Sequence, residues 1–206
     1  VRGVLFSFGV SAVAFAFLFT GMVFHFWFQM VLTVSGLCLM AFLINPTTAR
    51  DLLVSSRSEV LRAPVLGLVS AVILYGIFFF GAKLATMLFP SAGSMVKSVY
   101  TLKEGSSTGL IVGLLVFIIG PGEEIFWRGF FQKRLEERYG YYGVILAVAA
   151  YTLVHLPSGN PMLIVASAVC GGFWSLMFYY FRSIWANMIS HAAWDVAIFV
   201  LWPVYC

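Results

Sequence analysis

An all-α polytopic membrane fold of about seven transmembrane helices enclosing an intramembrane cavity is predicted by three observations. Hydrophobic residues make up 62% of the 206 positions and charged residues only 10%, where a soluble domain carries about 25% charged. Several apolar runs reach the ~20 residues that a helix needs to cross a bilayer. The Lys and Arg residues sit mostly between those runs. A chain of this length has room for a soluble core, but it lacks the polar side chains that would cover one. The net charge of +4 is therefore read as orientation in a membrane. No basic patch is interleaved with aromatics, which excludes nucleic acid as a partner and leaves the lipid bilayer as the surrounding phase.

Seven segments follow in order, forming one integral membrane domain over 1–206. The first, 4–24, runs past signal-peptide length without a small-residue cleavage site and is read as a retained helix. Only Gly21 and His25 punctuate its junction with the second, 26–44, which ends at Asn45-Pro46. The third, 64–89, stops before Pro90. Residues 99–107 are polar enough for a short interfacial helix or loop. The fourth and fifth segments span 108–131 and 142–156. Leu156-Pro157-Ser158-Gly159-Asn160-Pro161 separates the fifth from the sixth, 162–181, and the seventh covers 184–204. No internal repeat is present.

Numbering the loops alternately puts Arg2, Arg50, Arg57, Arg62, Lys133, Arg134, Arg138 and Arg182 on one side. Lys97 and Lys103 fall on the other, with Lys83 near a helix end, where its stem can snorkel. Cytoplasmic loops carry the Lys/Arg excess. The sequence therefore predicts a multi-pass protein of the cell membrane with a cytoplasmic N-terminus and an external C-terminus. Cys38, Cys170 and Cys206 are far apart and read as free apolar cysteines. With no residue following it in this sequence, Cys206 is not expected to head a prenylation box.

Ionisable side chains inside membrane helices are costly and mark function by default. Four places qualify: Glu123-Glu124 with Arg128, His155, His191 and Asp195. Gly120-Pro121-Gly122 precedes the carboxylates and is expected to break or kink the helix there. Glu124 and Arg128 are four apart with the acid first, the favourable order for a same-face ion pair. Glu123 is left without a sequence-local counter-charge, free to take or give a proton as a general base or acid does.

Spacing brings the other residues to comparable depth. Glu124 lies 15 residues before Tyr139 and His155 lies 13 after Tyr142, arms of ~22 and ~20 Å at ~1.5 Å per residue. His191 and Asp195 share a helix face at a spacing of four, as do Tyr151 and His155. The site then lies within a few residues of the basic loops, which predicts access from the cytoplasmic side. Each histidine also has a purely structural reading, as an interhelical hydrogen-bonding group. His25, in a short loop without an acidic neighbour, keeps that reading. Trp174, Trp185 and Trp202 are read as packing or interfacial-belt residues.

Three motifs occur in order: Glu123-Glu124-Ile125-Phe126-Trp127-Arg128, Tyr151-Thr152-Leu153-Val154-His155 and His191-Ala192-Ala193-Trp194-Asp195. Together they resemble the CPBP intramembrane protease family, also called Abi or CAAX-protease-like, which includes the type II CAAX prenyl endoprotease. The resemblance covers residues 108–196 of a 107–206 core; residues 1–106 carry no family signature. It implies hydrolysis of membrane-associated peptides or lipidated-protein C-termini. Glu123 with His155 would activate water, His191 and the residue at 195 would stabilise the oxyanion, and Glu124 with Arg128 would support the site. Asp195 departs from the asparagine of the prenyl endoprotease, and an ionised carboxylate cannot donate to an oxyanion. It must be protonated, brace His191, or ligate a metal.

A metal-free mechanism is preferred. The family has been described both as glutamate protease and as metalloprotease, and zinc held by Glu123, His155, His191 and Asp195 is the alternative. Two other function classes use the same residues. A proton- or ion-coupled transporter relays protons through such chains, though it often shows paired broken helices. A non-catalytic peptide-binding immunity protein would tolerate Glu123→Gln.

Overall fold

The structure is a computed structural model that describes residues 2–21, 24–48 and 57–204. Arg50 and Cys206, used in the charge and cysteine readings above, lie outside the described residues. Among those described there is no strand, and seven helices are long and apolar enough to cross a membrane.

In chain order the elements are α1 (Arg2–Thr20), α2 (Phe26–Ile44), α3 (Arg57–Leu88), α4 (Ala92–Tyr100), α5 (Thr108–Tyr139), α6 (Tyr141–Leu153), α7 (Pro161–Phe181) and α8 (Ile184–Val196). A 3-10 turn, Leu156–Ser158, follows α6, and a π-helical turn, Ala197–Leu201, extends α8. Residues 99–107 hold the end of α4 and the loop that was one of the two expected forms. The short interfacial helix starts earlier, at Ala92, and only a 3-10 turn, Thr101–Lys103, and a bend follow it. Nine residues are too few for periodicity to locate a helix.

Local chemistry explains the helix ends. Asn160 caps α7 by accepting from the Met162 and Leu163 N–H groups at 2.9 and 3.2 Å, with Pro161 at the first helical position. Ser183 caps α8 by accepting from Ala186 N–H at 3.2 Å. On the basic face Gly140 turns α5 into α6 with a φ of 57°, a backbone region glycine enters without steric cost.

Gly120-Pro121-Gly122 does not break α5. The helix widens into π turns over Leu115–Ile119 and Ile125–Gln132 on either side, so that Gly120 N–H bonds to the Leu115 carbonyl. Wide turns of this kind re-route the backbone around a proline that cannot donate. The glycines instead permit close packing. A Cβ on Gly122 would lie 2.3 Å from Val34 Cγ1 of α2, and one on Gly120 would lie 3.2 Å from the Ala192 nitrogen of α8. Small residues let membrane helices approach in this way.

At 32 residues, α5 is ~48 Å long, well beyond a ~30 Å hydrocarbon core. Its charged end therefore projects from the membrane, where Arg182 reaches Glu136 at 2.5 Å. Helix α1 buries Val4, Ser7, Ser11, Phe15 and Leu18, a stripe at steps of three and four. Helix α8 lies against α3, where Gly67 comes so close that a Cβ would sit 2.8 Å from Ile189.

Candidate active site

The six ionisable residues singled out in the sequence converge at the cavity end of the bundle. Glu124, Arg128, Glu123, His155 and His191 are all buried, and the Asp195 side chain is only 14% exposed. Their arrangement falls into two linked groups.

The first group is a network around Glu124. Arg128 Nη1 donates to Glu124 Oε1 at 2.9 Å, one turn away on α5. Asn187 Nδ2 donates to Glu124 Oε2 at 3.0 Å, and His191 Nδ1 lies 2.8 Å from Oε1. A carboxylate inside a membrane is tolerable only when its lone pairs are taken by donors, and here three side chains from two helices take them. Arg128 also donates from Nη2 to the Gly171 carbonyl at 3.2 Å. Its guanidinium lies 4.9 Å from the Tyr151 ring centroid. The other nitrogen of His191, Nε2, lies 3.6 Å from Asp195 Oδ2. That separation is longer than a hydrogen bond, so the ring faces a carboxylate on each side but is held by Glu124. Trp174 stacks flat on His191, with ring centroids 3.8 Å apart, and donates Nε1 to Ser190 Oγ at 3.1 Å.

The second group is Glu123, Tyr151 and His155. Glu123, without a counter-charge near it in sequence, has a neutral partner from another helix. Tyr151 OH donates to its Oε2 at 2.8 Å. The same tyrosine's carbonyl oxygen lies 2.7 Å from His155 Nδ1. A proton on Nδ1 donated to that oxygen fixes the tautomer and leaves Nε2 with a lone pair. Phe15 and Phe19 of α1 pack on the His155 ring at centroid distances of 5.2 and 5.8 Å. The N-terminal segment, which carries no motif, thus forms one wall of the site.

Both groups border one cavity of about 350 Å³. Glu123, Tyr151, His155, Ser167, His191 and Asp195 supply polar lining; most of the remainder is aliphatic and aromatic. The cavity lies at the end of the bundle that carries α4, remote from the basic loops. Its lining residues are 15–19 on α1, 26–30 on α2, 77–85 on α3, 115–123 on α5 and 162–174 on α7. Access from the basic side, expected from residue spacing, does not match this placement. Residue spacing gives depth from the basic end alone; Phe126, Trp127, Phe130 and Phe131 are all buried on that side of the carboxylates.

The four residues considered as zinc ligands, Glu123, His155, His191 and Asp195, do not form a ligand set. Among the described residues no group of three or more His, Cys, Asp or Glu side chains is disposed to hold a metal ion. No step is therefore derived through a metal.

Sequence reading overlooked Asn187 and the site role of Trp174. Asn187 had a usable signal: an amide in an apolar helix one turn before His191. Trp174 had none, since an aromatic on an apolar helix reads as packing. Trp185 and Trp202 are 39% and 63% exposed, as belt residues are. His25 faces Ser106 Oγ at 3.3 Å.

Residues 105–197 match the family model described as Rce1-like, type II CAAX prenyl endopeptidase Rce1-like. No curated protein and no solved structure matches the chain.

Proposed function

Because residues 105–197 form a domain of the Rce1-like CAAX protease family, we propose that the protein is an intramembrane endopeptidase. Its substrates are membrane-associated peptides or protein C-termini, and it cleaves them by a glutamate-activated water without a required metal. One observation carries this reading. Glu123 on α5 and His155 in the turn after α6 border the same cavity, and both are held by Tyr151, through its hydroxyl and its carbonyl oxygen.

In the proposed reaction a cavity water is held between Glu123 and His155 Nε2. Glu123 Oε1, the oxygen not engaged by Tyr151, takes a proton as the water oxygen bonds to the scissile carbonyl carbon. The carbonyl oxygen becomes an oxyanion. Protonated His191 donates to it from Nε2, with Nδ1 anchored on Glu124, and protonated Asp195 beside it donates as a carboxylic acid. Collapse breaks the carbon–nitrogen bond, and the proton on Glu123 passes to the leaving amine. Arg128 and Asn187 touch no reacting atom; they fix Glu124 and, through it, His191. Trp174 holds the imidazole plane by stacking.

The test is to compare the membrane peptidome of cells expressing wild type and Glu123→Gln at equal accumulation. Peptides present in full length only with the variant are expected. Identical peptidomes would refute the peptidase assignment.

A further inference from the structure

Helix α7 packs against α6, α8 and the second wide turn of α5, and one buried residue on it, Gly171, touches both groups of the site. Its carbonyl accepts from Arg128 Nη2 at 3.2 Å, and Arg128 in turn holds Glu124 at 2.9 Å. Its Cα faces Tyr151. A Cβ on Gly171 would lie 2.9 Å from Tyr151 Cδ1 and 3.7 Å from Tyr151 Cε1 and Cγ, and these are the nearest atoms outside the backbone of α7. Gly171 is not among the glycines with positive φ, so its missing side chain provides space and not a special backbone conformation. The next residue, Gly172, is unlike it: a Cβ there would meet nothing within 4 Å.

The Tyr151 ring has little freedom to yield. Trp127 meets it edge-on at a centroid distance of 5.2 Å, the His155 ring lies 4.8 Å away and the Arg128 guanidinium 4.9 Å away. All three neighbours are buried. A methyl group at position 171 would have to push the ring by roughly half an ångström to restore a carbon–carbon contact of about 3.5 Å. The ring is rigid, and its hydroxyl ends 2.8 Å from Glu123 Oε2. A hydrogen bond weakens steeply as it bends and lengthens.

We propose that Gly171 is a positioning residue for the peptidase reaction. Its bare Cα seats the Tyr151 ring so that the hydroxyl reaches Glu123, and its carbonyl anchors the arginine that holds Glu124. One residue of α7 thereby sets the two adjacent carboxylates of α5. The inference deepens the peptidase reading and rests on it for the role of Glu123.

The test is a double-mutant cycle read by melting of purified protein in detergent micelles, which needs no substrate. Tyr151→Phe should lower melting by roughly 5 °C in the wild-type background, the loss expected for a hydrogen bond to a charged group. In the Gly171→Ala background, where the hydroxyl is already displaced, the same substitution should lower it by less than about 2 °C. Gly172→Ala, the control for helix propensity, should melt at or above wild type. A purely steric role for Gly171 would not depend on the hydroxyl, so an equal effect of Tyr151→Phe in both backgrounds overturns the inference. It is also overturned if Gly171→Ala melts as Gly172→Ala does. Should Gly171→Ala fail to accumulate, Tyr151→Met replaces the ring by a flexible side chain that can give way to the methyl. Gly171→Ala/Tyr151→Met should then accumulate as Tyr151→Met does, and its failure to do so would place the clash elsewhere and refute the role. Turnover of a peptide found by the Glu123→Gln comparison supplies the catalytic arm. There Gly171→Ala should lower kcat about 10-fold, with no further loss on adding Tyr151→Phe. Absence of any such peptide defeats the peptidase reading, while the melting cycle still decides whether Gly171 seats Tyr151.

Discussion

Replacing Arg128 by methionine is the most exacting test of how the buried charges are held. Arg128 and Glu124 are 1% and 0% exposed, and the substitution removes the 2.9 Å ion pair and the 3.2 Å bond to the Gly171 carbonyl. Glu124 keeps Asn187 and His191 as donors but loses its permanent positive partner. Stranding one member of a buried pair costs about 3–5 kcal/mol, a large share of a typical stability of about 5–15 kcal/mol. At about 2–4 °C per kcal/mol for a chain of this size, melting should fall by roughly 10 °C. The double variant Glu124→Gln/Arg128→Met removes both charges and leaves an amide oxygen to accept from Asn187 and His191. It should recover a substantial part of that loss, because replacing a whole buried pair is often neutral. Melting of purified protein in detergent micelles, with steady-state accumulation alongside, measures both. The reasoning fails if Arg128→Met melts within about 2 °C of wild type, or if the double variant is less stable than the single one.

Three further outcomes follow from the site. Tyr151→Phe removes the 2.8 Å bond to Glu123, a hydrogen bond to a charged group worth about 1.5–3 kcal/mol; kcat should fall at least ~10-fold with KM and accumulation little changed, and steady-state kinetics would show otherwise. Asp195→Asn supplies an amide donor 3.6 Å from His191 and should retain activity that is insensitive to chelator. Its inactivity together with a chelator-sensitive wild type would reinstate the metal mechanism. Gly122→Val places a Cβ 2.3 Å from Val34 Cγ1, so the variant should fail to accumulate; normal accumulation would refute the close-packing role of the Gly-Pro-Gly segment.

Hydropathy is a property of consecutive residues, and for that reason the seven spans and the all-α membrane fold were legible without coordinates. The Glu124–Arg128 pair was legible for a related reason, since a spacing of four on one helix fixes the geometry before any packing occurs. Contacts between helices have no such local rule. Tyr151 meeting Glu123, His191 resting on Glu124, and Asn187 completing that network depend on the rotation of α5, α6 and α8 about their own axes. Only tertiary packing sets those rotations. Phe15 and Phe19 on His155 belong to a segment without any motif, so nothing in the sequence ties α1 to the site. The side on which the cavity lies was decided by packing as well. Counting residues from the basic loops gives a depth along each helix, but it cannot show that Phe126, Trp127, Phe130 and Phe131 are buried on the basic side of the carboxylates while the cavity forms on the other. Where a bundle leaves a cavity depends on which side chains meet across helices, and that is a property of the assembled fold.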